Sequence, residues 1–286
     1  MLQNRATLKQ IRFHLLGELR QIYAENESDS IVRLILEHVG YPLSLTLSDP
    51  DQVPAPSITA QITALIAEIR TGLPIQYILG RTDFCDLSIK VNKHVLIPRP
   101  ETEEMVEHIK ALVKEPVHRI IDLGTGSGCI ALALKKNFPD AQVWGIDKSR
   151  EALLVAGENG RNNKLHVTWG YMDLLNMHPL DQWETFDLIV SNPPYVMKSE
   201  REAMAAHVLD FEPESALFVE DSDPLVFYRA IAAFCSHHLA VRGETWVEIN
   251  EALGKETARL FEKAGFSRVR ILRDIHEKDR YIHARS

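Results

Sequence analysis

Only three cysteines, Cys85, Cys129 and Cys235, occur among the 286 residues, and no two of them form a CxxC pair. An odd, scattered set excludes a disulfide framework and a cysteine zinc site. The twelve histidines never fall into HExxH or a comparable ligand spacing, so no metal centre is expected. No apolar run approaches the roughly 18 residues of a spanning helix, which excludes an α-helical membrane class. The opening stretch MLQNRATLKQ is polar and lacks a hydrophobic core and a small-residue cleavage site. No secretory signal is therefore expected, and the expected location is cytoplasmic. Positive charge is also in deficit: 32 Lys and Arg against 40 Asp and Glu leave a net charge of -8, which disfavours broad binding to nucleic acid.

What is present is an ordinary globular composition, 45% hydrophobic and 25% charged, long enough for one large domain or two of average size. The first eighty residues read as helices. Thr7 and Gln10 form a capping box ahead of Leu8, Ile11, Leu15, Leu19 and Ile22 at helical spacing. Ile31, Leu34, Ile35 and Val39 mark a second helix before Gly40. After a loop over 41–57, Ser57 is expected to cap a third, with Ile58, Ile62, Leu65 and Ile69 on one face and Gly72 at its end. Over 83–97 the period changes to alternation, with Leu87, Ile89 and Val91 against Ser88, Lys90 and Asn92, which predicts a strand pair. The expected organisation is a helical domain over 1–80, a β-hairpin linker over 81–98 and a larger domain over 99–286.

From about residue 100 strands and helices alternate. HRIIDLG, AQVWGID, KLHVTWG, FDLIVSN, ETWVEI and SRVRILRD are the expected strands, with helical patterns between them, and RYIHAR is a seventh. Alternation of this kind implies a mostly parallel sheet covered on both faces. The last two candidates are separated by too few residues for a helical crossover, so they are expected to pair antiparallel.

The strand Ile120-Ile121-Asp122-Leu123 runs into Gly124-Thr125-Gly126-Ser127-Gly128 and then into the helical pattern CIALALKK. Such a loop brings backbone close to a ligand and aims helix N-terminal amides at it. The dinucleotide fingerprint GxGxxG is not met, because Cys129 follows Gly128; the GxGxG spacing resembles the loop of class I methyltransferases instead. Asp147 ends the second strand about twenty residues on, where a carboxylate can accept from both ribose hydroxyls, or can cap the helix after Lys148-Ser149. Asp173, with its neighbour Leu174, follows the third strand; it is placed to reach an adenine amino group or to serve as a turn residue. Cys129 reads as packing, with no basic partner to make it a nucleophile.

Asn192-Pro193-Pro194-Tyr195 stands directly after the strand of Asp187 and Val190. Two prolines stiffen the loop and contribute no N–H, leaving carbonyls as acceptors. The Asn192 side-chain oxygen and the Pro193 carbonyl can take both hydrogens of a planar NH2 group, while Tyr195 offers a ring to stack on it. The arrangement suits a weak nitrogen nucleophile.

Taken with three further segments, this loop carries a specific resemblance. Pro74-Ile75-Gln76-Tyr77-Ile78-Leu79-Gly80 with Phe84, Leu96-Ile97-Pro98-Arg99-Pro100-Glu101-Thr102-Glu103, the DLGTGSG loop and Phe211-Glu212-Pro213 are similar, in the same order, to segments of the HemK/PrmC family of release-factor glutamine N5-methyltransferases. The resemblance implies an α/β fold: a class I, Rossmann-like sheet of seven strands, with an N-terminal helical bundle and a connecting hairpin. It implies S-adenosylmethionine as cofactor, held by residues 124–128, Asp147, Asp173, Leu174 and Asn192. It implies Asn192, Pro193, Pro194 and Tyr195 as the catalytic and substrate-binding residues, acting on the Gly-Gly-Gln glutamine of class 1 peptide chain release factors. A monomer with no membrane and no direct nucleic-acid partner is expected. One departure is visible: where the family often has glycine in a segment resembling DxxGKxR, this chain has Glu277, between Asp274 and Arg280. NPPY is shared with adenine and guanine N-methyltransferases, so a nucleic-acid substrate is the alternative; against it, residues 1–80 hold 6 Lys and Arg and 8 Asp and Glu, which is no basic face.

Overall fold

Thr7 starts the first helix as the sequence predicts. In the computed structural model, which describes residues 5–114, 116–177 and 183–286, the Thr7 hydroxyl accepts the Gln10 amide and the Gln10 side chain accepts the Thr7 amide. Two otherwise orphaned donors are thereby satisfied at the entry to α1, Leu8–Leu19. Leu8, Ile11, Leu15 and Leu19 are fully buried; Ile22, the next step of the period, falls beyond the helix end and is exposed. α2, Glu25–His38, buries Ile31, Val32, Ile35 and Leu36. The segment expected to be loop over 41–57 contains a short helix, α3, Leu43–Ser48, entered from Pro42. α4, Pro56–Ile69, also corrects the sequence reading: its cap is Ala55, not Ser57, because Pro56 takes the first helical position, where a missing N–H costs nothing. α5, Ile75–Leu79, closes the series, and α1, α2, α4 and α5 share a core built on Ile11, Leu15, Ile35, Leu36, Ile62 and Ile69.

β1, Arg81–Phe84, and β2, Leu87–Lys90, pair antiparallel through Cys85 and Asp86, both at positive φ, as a two-residue hairpin turn requires. The pairing is shorter than the 83–97 expected, and Val91 lies past it. There follow α6 (Pro100–Leu112), β3 (Arg119–Leu123), α7 (Cys129–Asn137), β4 (Gln142–Asp147), α8 (Arg150–Asn162), β5 (Thr168–Tyr171) and β6 (Phe186–Ser191). Then come β7 (Val196–Met197), α9 (Ala206–Phe211), β8 (Phe218–Val219), α10 (Val226–His238), β9 (Leu239–Glu248), α11 (Gly254–Lys263), β10 (Arg268–Arg273) and β11 (Asp279–Arg285). The helix expected between β5 and β6 is not found among the described residues, which carry a single 3-10 turn at Leu174–Asn176; Asp173 caps that turn by accepting the Leu175 amide. Residues 178–182 of this connection lie outside the described residues, as does the polar start at 1–4.

The main sheet runs β10-β11-β9-β6-β3-β4-β5. β5, β4, β3, β6 and β9 are parallel, while β11 inserts between β9 and β10 antiparallel to both, giving seven strands with one reversed. β7 and β8 add a two-strand parallel ribbon too short to leave a sequence period. Two compact units result, Met1–Gly80 with Ala206–Phe211, and Arg81–Ala205 with Glu212–Ser286. Within the second, the core lies along Ile121, Leu123, Ile189, Val247, Ile231 and Phe261. Chain order reverses at β3, whose neighbours are β4 on one side and β6 on the other. The carboxyl ends around such a switch point are where open α/β sheets bind ligands.

Candidate active site

β3 delivers the glycine loop to that edge. Gly124 and Thr125 both donate their amides to the Ile146 carbonyl at 2.9 and 2.8 Å, tying the loop to β4. The Thr125 hydroxyl donates to Asp122 Oδ2 at 2.6 Å, and the Ala131 amide adds a second donor at the start of α7. Burial pushes Asp122 up to about 7, against the pull of those two hydrogen bonds. Gly126 has φ 53, and a Cβ there would enter open space, so the glycine leaves a cradle that backbone alone lines. Gly128, at φ 81, has a different reason: a Cβ would lie 2.8 Å from the Trp169 ring and 3.1 Å from Ala156.

Asp147 ends β4 facing the same loop. Its Oδ2 accepts the Gly126 amide and its Oδ1 the Ser149 amide, both at 2.8 Å. The cap of α8 is Ser149, not Asp147, which instead braces the turn before it and lines the cavity. Burial raises its pKa, offset by the two backbone hydrogen bonds. Asp173 also lines the cavity, but its carboxylate is already engaged by the Leu175 amide at 3.0 Å and the Asn176 side chain at 2.6 Å.

The cavity has a volume of about 270 Å³. It collects Gly124, Thr125, Gly126 and Ser127, then Asp147, Asp173 and Leu174, then Asn192, Pro193 and Pro194, with Ile130, Met172 and Phe227 as apolar wall. Gly128 and Tyr195 stand outside that wall. Gly128 is packed under Trp169, and the Tyr195 hydroxyl is turned to Glu248 Oε1 at 3.0 Å.

Asn192 is half-buried, and its Nδ2 donates to Thr102 Oγ1 at 2.9 Å. Among the described residues nothing donates to Asn192 Oδ1 or to the Pro193 carbonyl, so both acceptors are open. Thr102 in turn donates to Glu248 Oε2 at 2.7 Å. Burial raises the pKa of Glu248, opposed by the hydrogen bonds from Thr102 and Tyr195 and by the Arg280 charge. The outgoing arm of the loop is fixed by Asn250, whose Nδ2 donates to the Tyr195 carbonyl at 3.2 Å and to Glu200 at 2.9 Å. Glu212 pairs with Arg99 at 2.6 Å and accepts the Ile97 amide at 3.0 Å, joining two of the segments that carry the family resemblance.

Sequence reasoning did not single out Glu248 or Asn250, and gave Thr102 and Arg280 no role at the site. A glutamate inside the otherwise apolar run WVEI is the signal that was available, since a charged residue is seldom fully buried without partners. The Glu277 departure is resolved by geometry. Glu277 adopts the left-handed conformation, φ 61, that glycine would favour, and Asp274 holds the turn by accepting the His276 and Lys278 amides and Arg280 Nε at 2.9, 3.0 and 3.0 Å. Cys129 is buried and pushed up to about 12 by that burial, so it is packing. Among the described residues no group of three or more His, Cys, Asp or Glu is arranged to hold a metal, and no helix is long and apolar enough to cross a membrane.

Comparison with known proteins gives the family and the fold. Residues 102–218 match the methyltransferase small domain family. A release factor glutamine methyltransferase of Flavobacterium psychrophilum is 41% identical over 96% of this chain and 98% of its own. That of Bacteroides thetaiotaomicron is 39% identical over 97% and 99%. Among solved structures, a methyltransferase from Pyrococcus furiosus superposes with a TM-score of 0.52 at 18% identity, covering 70% of this chain and 88% of that one, which bears on the fold alone. Near-complete coverage of both chains at this identity leaves one assignment: the chain belongs to the release factor glutamine methyltransferase family.

Proposed function

We infer that this chain transfers a methyl group from S-adenosylmethionine to the side-chain amide nitrogen, N5, of the glutamine in the Gly-Gly-Gln motif of class 1 peptide chain release factors. The observation that carries the reading is the pair of open acceptors, Asn192 Oδ1 and the Pro193 carbonyl, in the wall of a cavity that also holds the glycine loop and Asp147.

The residues present fit the cofactor. A carboxylate offers about four lone-pair sites; Asp147 spends two on Gly126 and Ser149, leaving two for a ribose diol. Open space over Gly126 admits a ligand against backbone, and Leu174, Met172 and Ile130 supply apolar wall for a flat heterocycle. Bound S-adenosylmethionine supplies an electrophilic methyl group on a sulfonium. Everything else is the protein's work on the nitrogen. A carboxamide nitrogen is a poor nucleophile because its lone pair is delocalised into the carbonyl, so the protein must orient it. Asn192 Oδ1 and the Pro193 carbonyl accept its two hydrogens, turning the lone pair toward the methyl donor and stabilising positive charge as it develops on nitrogen. Orientation of this kind is worth roughly 7–11 kcal/mol in favourable cases. Tyr195 lies outside the cavity wall, with its ring packed against the core and its hydroxyl tied to Glu248, so it anchors the loop that carries the two acceptors. No base is needed before transfer, since the methylated amide becomes acidic and sheds its proton afterwards.

A single glutamine side chain offers little binding energy, so a second contact with a folded partner is required, and the helical unit ending at Gly80 is assigned that role. Labelled S-adenosylmethionine incubated with full-length release factor should add one CH2 increment at the Gly-Gly-Gln glutamine, and an isolated loop peptide should react far more slowly. Removal of residues 1–72 should raise KM for the protein substrate with little change in cofactor affinity. A higher kcat/KM on DNA or ribosomal RNA would overturn the substrate in favour of an exocyclic base amine.

A further inference from the structure

The amide of Asn192 can serve as an acceptor only if its oxygen, not its nitrogen, faces the substrate. The two ends of a carboxamide are nearly the same size, so shape does not decide between them. Something must select the orientation, and the hydrogen-bond directions behind the loop identify it.

Glu248, at the carboxyl end of β9, is 1% exposed and receives two hydroxyl groups: Thr102 on Oε2 at 2.7 Å and Tyr195 on Oε1 at 3.0 Å. Both hydroxyls donate to this one carboxyl group. Thr102 has one hydroxyl hydrogen, and it is committed to Glu248. Only lone pairs of Thr102 Oγ1 then face Asn192, 2.9 Å away, and only the NH2 end of the amide can meet them. A reversed amide would set oxygen against oxygen in a place 2% exposed, where water cannot intervene. We propose that Glu248 is a positioning residue which, through Thr102, polarises a relay that holds Asn192 Oδ1 toward the substrate nitrogen, and that the same carboxylate anchors Tyr195. The assignment rests on the methyl-transfer reading given above and extends it by Glu248, which lies outside the cavity lining, and Thr102, which lines the cavity beside Asn192.

The relay makes Glu248→Gln more than a loss of charge. Glutamine keeps one acceptor and gains an NH2 group, so one of the two hydroxyls now meets a donor. Where that hydroxyl is Thr102, its hydrogen swings to Asn192 and selects the wrong end of the amide. Thr102→Val removes the relay while keeping the shape of the side chain, and Thr102→Ser restores the hydroxyl.

The test uses the full chain with release factor and labelled S-adenosylmethionine, and reads the Asn192 side-chain amide by 15N NMR. Thr102→Val and Glu248→Gln should each lower kcat by about 10- to 100-fold, the scale of an oriented transition-state partner, with KM for release factor and affinity for S-adenosylhomocysteine within about threefold. Thr102→Ser should recover most of the lost kcat. The Asn192 NH2 protons should exchange slowly in the wild type and in Thr102→Ser, and rapidly in the other two. If Glu248→Gln does not fold, the two Thr102 variants decide the matter. Wild-type kcat in Thr102→Val, or an Asn192 resonance that Thr102→Val leaves unchanged, would overturn the relay. A wild-type chain that fails to methylate release factor would count against the substrate reading, while the NMR comparison would still decide the relay.

Discussion

Replacing Asp147 by alanine should cost cofactor affinity in an amount that can be worked out from its hydrogen bonds. Two of its lone-pair sites are spent on the Gly126 and Ser149 amides, each at 2.8 Å, and two remain for the cavity. A hydrogen bond to a charged acceptor contributes about 1.5–3 kcal/mol, and each 1.4 kcal/mol is tenfold in affinity. Loss of one such bond to ribose therefore weakens binding roughly ten- to a hundredfold. Loss of both, with the Gly126 amide released as well, carries it past that range. Asp147→Asn should be no gentler, because each carboxylate oxygen accepts a backbone amide, so in either orientation its NH2 group would meet an N–H donor. Calorimetric titration with S-adenosylhomocysteine gives the affinity, and the same titration with its 2′-deoxy counterpart isolates the diol. Wild type should discriminate between the two ligands and Asp147→Ala should not. An unchanged Kd in Asp147→Ala, or equal discrimination by both proteins, would remove this residue from the cofactor site.

Asn192→Ala should lower kcat by at least about a hundredfold, as loss of an oriented transition-state partner does, with a smaller effect on cofactor affinity; near-normal turnover would refute the two-acceptor arrangement. Asp122 is raised from an ordinary 3.8 to about 7, so the folded chain holds a proton that the unfolded chain has released between those values. The stability this group contributes is present below about pH 4 and lost as pH rises through about 7, so wild type should lose unfolding free energy relative to Asp122→Asn across that window in urea melts. Parallel pH profiles would show that the group does not titrate there. Glu277→Gly relieves a left-handed backbone at the cost of a looser unfolded chain and an exposed pair with Arg273, and should raise unfolding free energy by about 0.5–1 kcal/mol in denaturant titrations. A destabilised Glu277→Gly would mean that the side chain, not the backbone, holds this turn.

The parts of the site legible in the sequence are those made of consecutive residues. The glycine loop and the NPPY loop each lie within five residues, and strand periodicity alone places both at strand ends. Asp147 is reachable by spacing, because the second strand of such a sheet always returns beside the first. The same logic places the reversed last strand, since too few residues separate it from its neighbour for a crossover. Capping fails where proline intervenes: Ser57 has the right chemistry, but Pro56 already begins the helix. Among the described residues before β6, the expected helix gives way to a tight turn that the Asp173 carboxylate closes on itself.

What the sequence hides is the layer behind the loop. Thr102 meets Asn192 across 90 residues and Glu248 across 146, and Tyr195 meets Glu248 across 53. No periodicity reports such contacts, because they arise only when β9 is laid beside β6 and α6 is brought over their ends. The layer also explains why the acceptor loop is neutral. With asparagine at position 192, one end of the side chain can be tethered as donor to Thr102 while the other stays free as acceptor; an aspartate would set its oxygen against the Thr102 lone pairs and add a charge beside a buried glutamate. Two neutral acceptors suit a substrate whose nitrogen carries two hydrogens and gains positive charge only in passing. A primary amide with both hydrogens bound this way is held in one plane, and the same demand excludes a secondary amide, which has one hydrogen to give. The product of the first transfer is such a secondary amide, so the pair of open acceptors should stop the reaction after one methyl group, and a dimethylated glutamine in the mass spectrum of the product would refute the two-acceptor arrangement.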